Sequence, residues 1–371
     1  MLVVFRADAS VQIGTGHVMR CLTLADELTR HGHSCRFICR EHPGHLGDLI
    51  ASKGYRVDLL PARNDNDLDM HGGKTDHYAT WLGVSWEEDA RETLEALSLQ
   101  TTDWLVVDHY ALDVNWERLV GKAVSNVMVI DDLANRAHEC ALLMDQNLGR
   151  VPSDYDDLLP EECSRLIGPR YALLRPEFSE CRDRGLKHRE QPELKRILIS
   201  LGGVDQANVT GRVLDGLSAS ALPASTELDI ILGASAPFLA EVQQQAARMR
   251  FKATVSVNVK DMAERMYLAD LSIGAAGGTS WERCSLGLPA VLVVLAENQV
   301  AGAKALLESG AAKTISDPEQ LASLLPSVLA GLAEPGLLYR MSESAAGITD
   351  GKGVLRVVKA MSAISRGGEE Q

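Results

Sequence analysis

The stretch most suited to chemistry is Asp8-Ala-Ser-Val-Gln-Ile-Gly-Thr-Gly-His17-Val-Met-Arg20. It follows an apolar run at residues 2–5 and leads into apolar residues spaced three and four apart, which predicts strand, glycine loop and helix. Gly14 and Gly16 allow a tight turn and a close approach of a ligand to the backbone. The helix start offers unpaired N–H groups to an anion. His17 at that start is a candidate general base, although a histidine there is more often a capping or surface residue.

A second strand, glycine loop and helix start is predicted at Ser272-Ile-Gly-Ala-Ala-Gly-Gly-Thr-Ser-Trp-Glu-Arg283. Its small residues would let a pyrophosphate contact backbone N–H groups. Glu282 has two interpretations: a capping box with Thr279 as N-cap, or a carboxylate that binds both hydroxyls of a nucleotide's ribose. The predicted contacts of this loop are Gly277, Gly278, Thr279, Ser280 and Glu282.

Polar residues follow several other predicted strands. In the first half they are Asp108-His-Tyr110, Asp131-Asp132 and Asp145-Gln-Asn147, which together favour a sugar site at one sheet edge. His109 is a rival base, disfavoured because no glycine loop or helix start accompanies it. In the second half, Gly202 and Gly203 could admit a phosphate, and Asn298 and Gln299 start a helix at the same edge.

Strand and helix patterns alternate along the chain, then break in the proline-containing region 149–195 and restart with a strand at 196–201. This indicates an α/β protein of two Rossmann-like domains, whose parallel sheets we expect to face each other across a cleft. The predicted ranges are 1–150, a connection at 151–195, a second domain at 196–345, and a C-terminal helix and tail at 346–371. The charged run at 182–190 is expected to be a solvated face.

Composition limits the function further. The chain has 371 residues, 46% hydrophobic and 24% charged, which is typical of a globular protein. A net charge of −14 disfavours nucleic acid as a partner. Seven scattered cysteines without a framework predict reduced thiols and a cytoplasmic protein. We expect no membrane span, signal peptide, metal site or cofactor, and a monomer.

Several of these motifs occur together and in order, and in this combination they resemble one family. That family is the UDP-sugar hydrolases of pseudaminic acid biosynthesis, which are similar to GT-B glycosyltransferases such as the cell-wall N-acetylglucosaminyltransferase. The likeness spans about residues 2 to 310. The matching motifs are Arg6-Ala-Asp-Ala, Ile13-Gly-Thr-Gly-His-Val-Met-Arg-Cys-Leu22, Val106-Val-Asp-His-Tyr110, Ile130-Asp-Asp-Leu133, Asp145-Gln-Asn147, Tyr171-Ala-Leu-Leu-Arg-Pro-Glu-Phe178, Ser200-Leu-Gly-Gly203, Thr279-Ser-Trp-Glu-Arg283 and Ala296-Glu-Asn-Gln299.

The resemblance implies roles for individual residues. His17 would be the base that activates water, Gly14 and Gly16 would lie next to the diphosphate, and Glu282 would bind the nucleotide together with Thr279 and Ser280. The remaining implied contacts, to sugar or phosphate, are Tyr78, Asn147, Asn298 and Gln299. The loop from Gly274 to Thr279 is less serine-rich than the resemblance leads us to expect.

The implied reaction is hydrolysis of a UDP-linked 2,4-diacetamido-2,4,6-trideoxy hexose to free sugar and UDP. It would belong to the biosynthesis of pseudaminic acid, a nonulosonic acid, for bacterial flagellin or surface glycans. Two alternatives stay open: a GT-B glycosyltransferase with a UDP-sugar donor and an alcohol acceptor, and a non-catalytic UDP-sugar sensor. A non-hydrolysing epimerase would share the architecture as well.

Overall fold

The computed structural model describes residues 1–62, 78–98 and 100–367. These form two compact units. One comprises Met1–Leu173 with Gly353–Gln371, and the other comprises Leu174–Lys352.

Within the described residues, the first unit has seven parallel strands in the order β3-β2-β1-β4-β5-β6-β7. The predicted alternation of strands and helices is present. Its elements are β1 Leu2–Ala7, α1 Gly16–Arg30, β2 Ser34–Arg40, α2 Gly47–Ser52, β3 Arg56–Leu60, α3 Trp86–Leu97, β4 Thr102–Asp108, α4 Val114–Val120, β5 Val124–Ile130, β6 Leu142–Asp145 and β7 Ser164–Ile167.

The interior strand β1 is buried on both faces, which explains its apolar run from Leu2 to Phe5. Val3 and Phe5 belong to one hydrophobic cluster, whereas Val4, between them, belongs to the cluster on the opposite face. Each side chain buried in this way contributes about 1.5–3 kcal/mol to folding.

The helix after β1 presents one apolar face to the sheet. Val18, Cys21, Leu22, Ala25 and Leu28, the residues predicted from their spacing, are all buried. The helix ends at Arg30, and Gly32 then takes a positive φ of 82° that favours glycine. This packing fixes α1 against the sheet, so its first turn is held at the carboxyl end of β1.

The second unit has six parallel strands among its described residues, in the order β10-β9-β8-β11-β12-β13. Its elements are α5 Pro176–His188, β8 Arg196–Ser200, α6 Val209–Ser218, β9 Glu227–Leu232, α7 Leu239–Ala247, β10 Lys252–Val257, α8 Met262–Leu268, β11 Leu271–Ala275, α9 Thr279–Ser285, β12 Ala290–Val293, α10 Val300–Glu308, β13 Ala312–Ile315, α11 Leu321–Gly331 and α12 Leu337–Ile348.

The last helix, α13 (Gly353–Gly367), belongs to the first unit. Val357 and Met361 are fully buried in the same cluster as Val3 and Phe5. The indole Nε1 of Trp104 donates a hydrogen bond to Ser365 Oγ at 2.8 Å. The structure therefore divides the chain at 173 and 352, whereas the predicted ranges ended the first domain at 150 and kept 346–371 apart.

The charged run at 182–190 was expected to be solvated, and for two of its arginines this is wrong. Arg182 donates to the carbonyls of Ser285, Ala346 and Thr349 at 2.6 to 2.9 Å. Arg189 is only 2% exposed, and its guanidinium donates to the carbonyls of Gly185, Met266, Ala269 and Leu286. These carbonyls belong to the last turns of helices or to the residue just after a helix, where carbonyls lack partners within the helix. The two arginines are therefore structural caps.

Each sheet reverses its strand order at one point, between β1 and β4 in the first unit and between β8 and β11 in the second. Open α/β sheets bind ligands outside the carboxyl ends of the strands at such points. The loop that carries His17 follows β1, and Gly202 and Gly277 lie in the loops after β8 and β11. Among the described residues, no helix combines the length and the apolar character that crossing a membrane requires.

Candidate active site

The first-unit site is built around a histidine at the start of α1 and a carboxylate at the end of β4. His17 Nδ1 lies 2.6 Å from Oδ1 of Asp108, the last residue of β4. The ring is 9% exposed, while Asp108 is fully buried. Because an ionised carboxylate only accepts hydrogen bonds, Nδ1 carries the proton and the lone pair of the neutral ring lies on Nε2. This arrangement presents Nε2 as a base.

The guanidinium of Arg20 holds the same carboxylate. Arg20 Nε donates to Asp108 Oδ2 and Nη2 to Oδ1, both at 2.6 Å. Burial would raise the pKa of Asp108, but the charge of Arg20 and the hydrogen bonds from Arg20 and His17 outweigh burial and hold that pKa well below its usual range. Asp108 therefore stays ionised and can orient His17 without taking its proton.

A second carboxylate extends this network toward Asn147. Asp132 Oδ2 lies 2.8 Å from Arg20 Nη1 and accepts from the Tyr110 hydroxyl at 2.7 Å. The Asn147 amide donates to the backbone oxygen of Asp132 at 3.2 Å and to Oδ1 at 3.3 Å. The structure thus joins His17 and Asn147, two residues predicted from the sequence, through side chains that the site prediction did not include.

Three aromatic rings lie beside the histidine. The ring of Tyr110 packs edge-on against His17 with centroids 4.7 Å apart, and the Trp81 ring lies 6.3 Å away. Tyr78 contacts both Tyr110 and Trp81, at 5.0 and 4.8 Å. Tyr78 therefore lies in the group around His17, although its predicted contact with a sugar stays a prediction.

The rival base, His109, is in a different environment. It is 3% exposed, and its Nδ1 accepts from the backbone N–H of Ala111 at 3.1 Å. Burial lowers the pKa of His109 to about 4, against the opposing effect of Asp8, whose Oδ2 is 3.4 Å from Nε2. An enclosed imidazole with so low a pKa is a weak base and is poorly placed to meet a substrate, so His17 is the better base.

The glycine loop before α1 is organised by Ser10. Its Oγ accepts from the N–H groups of Gln12 and Ile13, and its carbonyl accepts from Gly14. Gly14 has a φ of 80°, which favours glycine. A Cβ on Gly16 would meet nothing within 4 Å, and none of the described side chains caps this helix end. The first N–H groups of α1 therefore remain accessible to a ligand.

In the second unit, the capping-box interpretation of Glu282 is wrong. The N-cap of α9 is Gly278, and the described residues supply no side-chain cap. Glu282 is about one-fifth exposed and lies 3.8 Å from Nη2 of Arg175. Burial raises the pKa of Glu282 to about 7, although Arg175 acts to lower it. The carboxylate is thus left available to a ligand.

The other predicted second-unit residues lie on three loops. Gly202 and Gly278 are exposed, Gly203 accepts from the N–H of Gly233 at 2.8 Å, and Ser280 is buried. Thr279 and Gly277 are half-buried. The amide of Gln299 accepts from Leu295 N–H at 3.0 Å and lies 3.8 Å from where a Cβ on Gly277 would stand, while Asn298 is exposed. The structure brings Gln299 and Gly277 together.

A buried guanidinium supports this loop from beneath. Arg283 is 1% exposed and donates to the carbonyl of Ala275 at 3.0 Å. A Cβ on Gly274 would collide with Arg283 Nη2 and would lie 2.6 Å from the Ser200 carbonyl oxygen. Gly274 is therefore required by packing, independently of any ligand.

We expect Gly274→Ala to lower the free energy of unfolding by about 1–3 kcal/mol, since the Ser200 carbonyl cannot move without displacing backbone and the Arg283 side chain is enclosed in the interior. Urea unfolding followed by circular dichroism measures this change. Gly278→Ala is the matched control, because a Cβ there meets nothing within 4 Å and its φ is −54°. Equal stability of the two variants would contradict the packing argument.

Among residues 1–62, 78–98 and 100–367, no three His, Cys, Asp or Glu side chains are arranged to hold a metal ion. All seven cysteines, each within those ranges, are free thiols.

Comparison with known proteins agrees with this organisation. Residues 198–355 match the glycosyltransferase family 28 C-terminal domain. MurG of Acinetobacter baumannii superposes with a TM-score of 0.68 at 19% identity, covering 98% of this chain and 99% of that one. The chain has the GT-B fold.

Two sequence relatives refine the GT-B assignment. The UDP-2,4-diacetamido-2,4,6-trideoxy-β-L-altropyranose hydrolase of Campylobacter jejuni is 28% identical over 248 residues, 66% of this chain and 74% of that protein. The UDP-N-acetylglucosamine–N-acetylmuramyl-(pentapeptide) pyrophosphoryl-undecaprenol N-acetylglucosamine transferase of Bacteroides fragilis is 31% identical over 162 residues, 42% of each protein. The predicted resemblance to a UDP-2,4-diacetamido-2,4,6-trideoxy-β-L-altropyranose hydrolase is confirmed.

Sequence reasoning placed Asp108 and Asp132 at a polar sheet edge but gave them no role beside His17. It included Arg20 in the first glycine-loop stretch without giving it a role, and it missed Trp81. A signal for Arg20 was present, because residues three apart on a helix share a face and His17 and Arg20 have that spacing. The pairing of His17 with Asp108 joins residues 91 positions apart and depends on β1 lying next to β4.

Proposed function

We propose that this GT-B protein hydrolyses a UDP-linked 2,4-diacetamido-2,4,6-trideoxy hexose to free sugar and UDP. The observation that carries the proposal is the hydrogen bond from His17 Nδ1 to the buried, ionised Asp108, which leaves Nε2 as an oriented base. The relation to the Campylobacter jejuni hydrolase supports the substrate class. Such a reaction would serve pseudaminic acid synthesis for flagellin or surface glycans.

In the proposed mechanism, His17 Nε2 takes a proton from a water molecule as the water attacks the anomeric carbon. The bond from that carbon to the diphosphate oxygen breaks, its electron pair leaves with UDP, and the anomeric configuration inverts. We assign Gly202, Gly203, Gly277 and Gly278 to the diphosphate, whose developing charge backbone N–H groups can stabilise. General-base assistance of this kind supplies about 10²- to 10⁴-fold in rate.

The direct test is UDP release from the purified protein supplied with the UDP-linked diacetamido sugar in ¹⁸O-water. We expect one UDP per turnover and the label only in the sugar, as attack at carbon requires. Label in UDP would contradict this mechanism. No UDP release without an added alcohol would favour the second candidate, a glycosyltransferase, which the Bacteroides fragilis relative supports. Binding without any UDP release would leave a sensor, and an isomeric UDP-sugar would indicate an epimerase.

We further propose that Glu282 accepts hydrogen bonds from both ribose hydroxyls, which its ionised form does best. Its pKa near 7 then makes nucleoside affinity rise with pH, because the carboxyl is mostly protonated at pH 6 and mostly ionised at pH 8. We expect uridine to bind roughly tenfold more tightly at pH 8 than at pH 6. Uridine is preferable to UDP because a terminal phosphate itself titrates near pH 6.

Calorimetric titration of uridine between pH 6 and 8 measures this dependence. Glu282→Gln should bind weakly and without the pH dependence, while Glu308→Gln, an exposed change in the same unit, should behave like wild type. Dideoxyuridine, which lacks both hydroxyls, should show no pH dependence with any variant. A wild-type affinity for uridine that is flat across this range would refute the role of Glu282.

A further inference from the structure

The side chain of Arg20 connects two parts of the first-unit site. One edge of its guanidinium grips both oxygens of Asp108 at 2.6 Å, and Nη1 reaches Asp132 at 2.8 Å. Arg20 is 11% exposed, so the contacts are largely shielded from water. A paired guanidinium and carboxylate of this kind is both strong and geometrically specific.

The two carboxylates accept hydrogen bonds from different side chains. Asp108 Oδ1, which accepts from Arg20, also accepts from His17 Nδ1. Asp132 is the acceptor for the Asn147 amide and for the Tyr110 hydroxyl. A displacement of Asn147 or Asp132 would therefore move Arg20, and a displacement of Arg20 would change the orientation of His17.

We infer that Arg20 is a positioning residue that couples the alignment of the His17 base to occupancy of the Asn147 sugar contact. A sugar that binds Asn147 fixes the position of Asp132, and Asp132 in turn fixes the Arg20 guanidinium. The guanidinium then orients Nε2 of His17 through Asp108. This inference rests on the proposed function, since it assigns the base and the sugar contact as that proposal does. It adds that the His17 base and the Asn147 sugar contact are coupled, so that a change at one alters the other.

The geometry distinguishes Arg20 from a charge that only neutralises carboxylates. Lysine would keep the positive charge, but its single ammonium group cannot hold both oxygens of Asp108 and also reach Asp132. Arg20→Lys therefore separates geometry from charge, and Arg20→Met removes both while it keeps the length of the side chain.

The first test is kinetic. We expect Arg20→Lys to lower kcat for UDP release about 10- to 100-fold with KM changed less than threefold, the scale seen when a partner that orients a functional imidazole is lost. Arg20→Met should lose more. The coupling is measured in a double-mutant cycle of Arg20→Lys with Asn147→Ala. The fold-decrease in kcat of the double variant should be at least threefold smaller than the product of the two single decreases. The control cycle pairs Asn147→Ala with His31→Asn, a surface change just past the end of the same helix, and should be multiplicative.

A second measurement does not need turnover. The Nδ1 proton of His17, held between nitrogen and carboxylate, should give a downfield proton resonance in ¹⁵N-histidine-labelled protein. It should be present in wild type and in Asn147→Ala, and shifted or lost in Arg20→Lys and Arg20→Met. An unchanged resonance in Arg20→Met, or a multiplicative Arg20–Asn147 cycle, overturns the inference. If wild type releases no UDP but the resonance responds as described, the proposed reaction fails while the positioning role stands.

Discussion

Replacing His17 with asparagine is expected to reduce UDP release by about 10²- to 10⁴-fold, the share that a positioned general base supplies. Asparagine is smaller than histidine, and His17, in the first turn of α1, belongs to neither hydrophobic cluster of the sheet, so the substitution removes no core side chain. Initial rates of UDP release at saturating substrate measure the loss. UDP affinity, measured by calorimetry, should stay within threefold of wild type because the proposed nucleotide contacts lie in the second unit.

His31→Asn is the matched control for this variant. It makes the same change just past the other end of the same helix, at a half-exposed histidine whose Nε2 pairs with Glu27 at 3.1 Å. Its turnover should equal that of wild type. If His17→Asn keeps near-normal turnover, the base has been misidentified.

Asp108→Asn is expected to be nearly as damaging, although Asp108 need not touch the substrate. An amide can donate to Nδ1, which would move the imidazole proton to Nε2 and leave the base with no lone pair to offer. In catalytic triads, where a carboxylate orients a histidine in the same way, this change costs about 10⁴-fold in kcat. It also strips a buried guanidinium of its main partner, and breaking a buried pair costs about 3–5 kcal/mol of stability.

The two effects are separated by measuring kcat for UDP release well below the unfolding midpoint, with urea unfolding recorded for each variant. Asp156→Asn, a change at an exposed aspartate paired with Arg165, is the control and should alter neither quantity appreciably. An Asp108→Asn protein that is folded and turns over at the wild-type rate would show that His17 needs no orienting carboxylate.

Much of the fold was predictable because buried parallel strands have continuous apolar sequences. The strand predicted ahead of the second glycine loop is β11, and the helix predicted to start at His17 is α1, which begins one residue earlier. The strands that were missed, Ser164–Ile167 and Ala312–Ile315, have four residues each and lie at sheet edges. An edge strand buries less surface, so its sequence has a weaker apolar pattern.

The candidate site divides in the same way. Local spacing was enough to single out His17 and the glycine loops, since each function there depends on neighbours in sequence. It was not enough for Arg182 and Arg189, whose partners are carbonyls at the ends of helices distant in the chain. Nor could it supply the orientation of His17, which depends on the order of strands in a sheet.

The return of the last helix to the first unit has a consequence for dissecting the molecule. The second unit is one uninterrupted segment, Leu174–Lys352, whereas the first is assembled from two separate stretches. A polypeptide cut at those two junctions would keep the hydrophobic core of the second unit whole. Removal of α13 would instead take Val357 and Met361 from the core beneath His17, at about 1.5–3 kcal/mol for each side chain. Shortening the chain from its C-terminal end would therefore first destabilise the unit that carries His17.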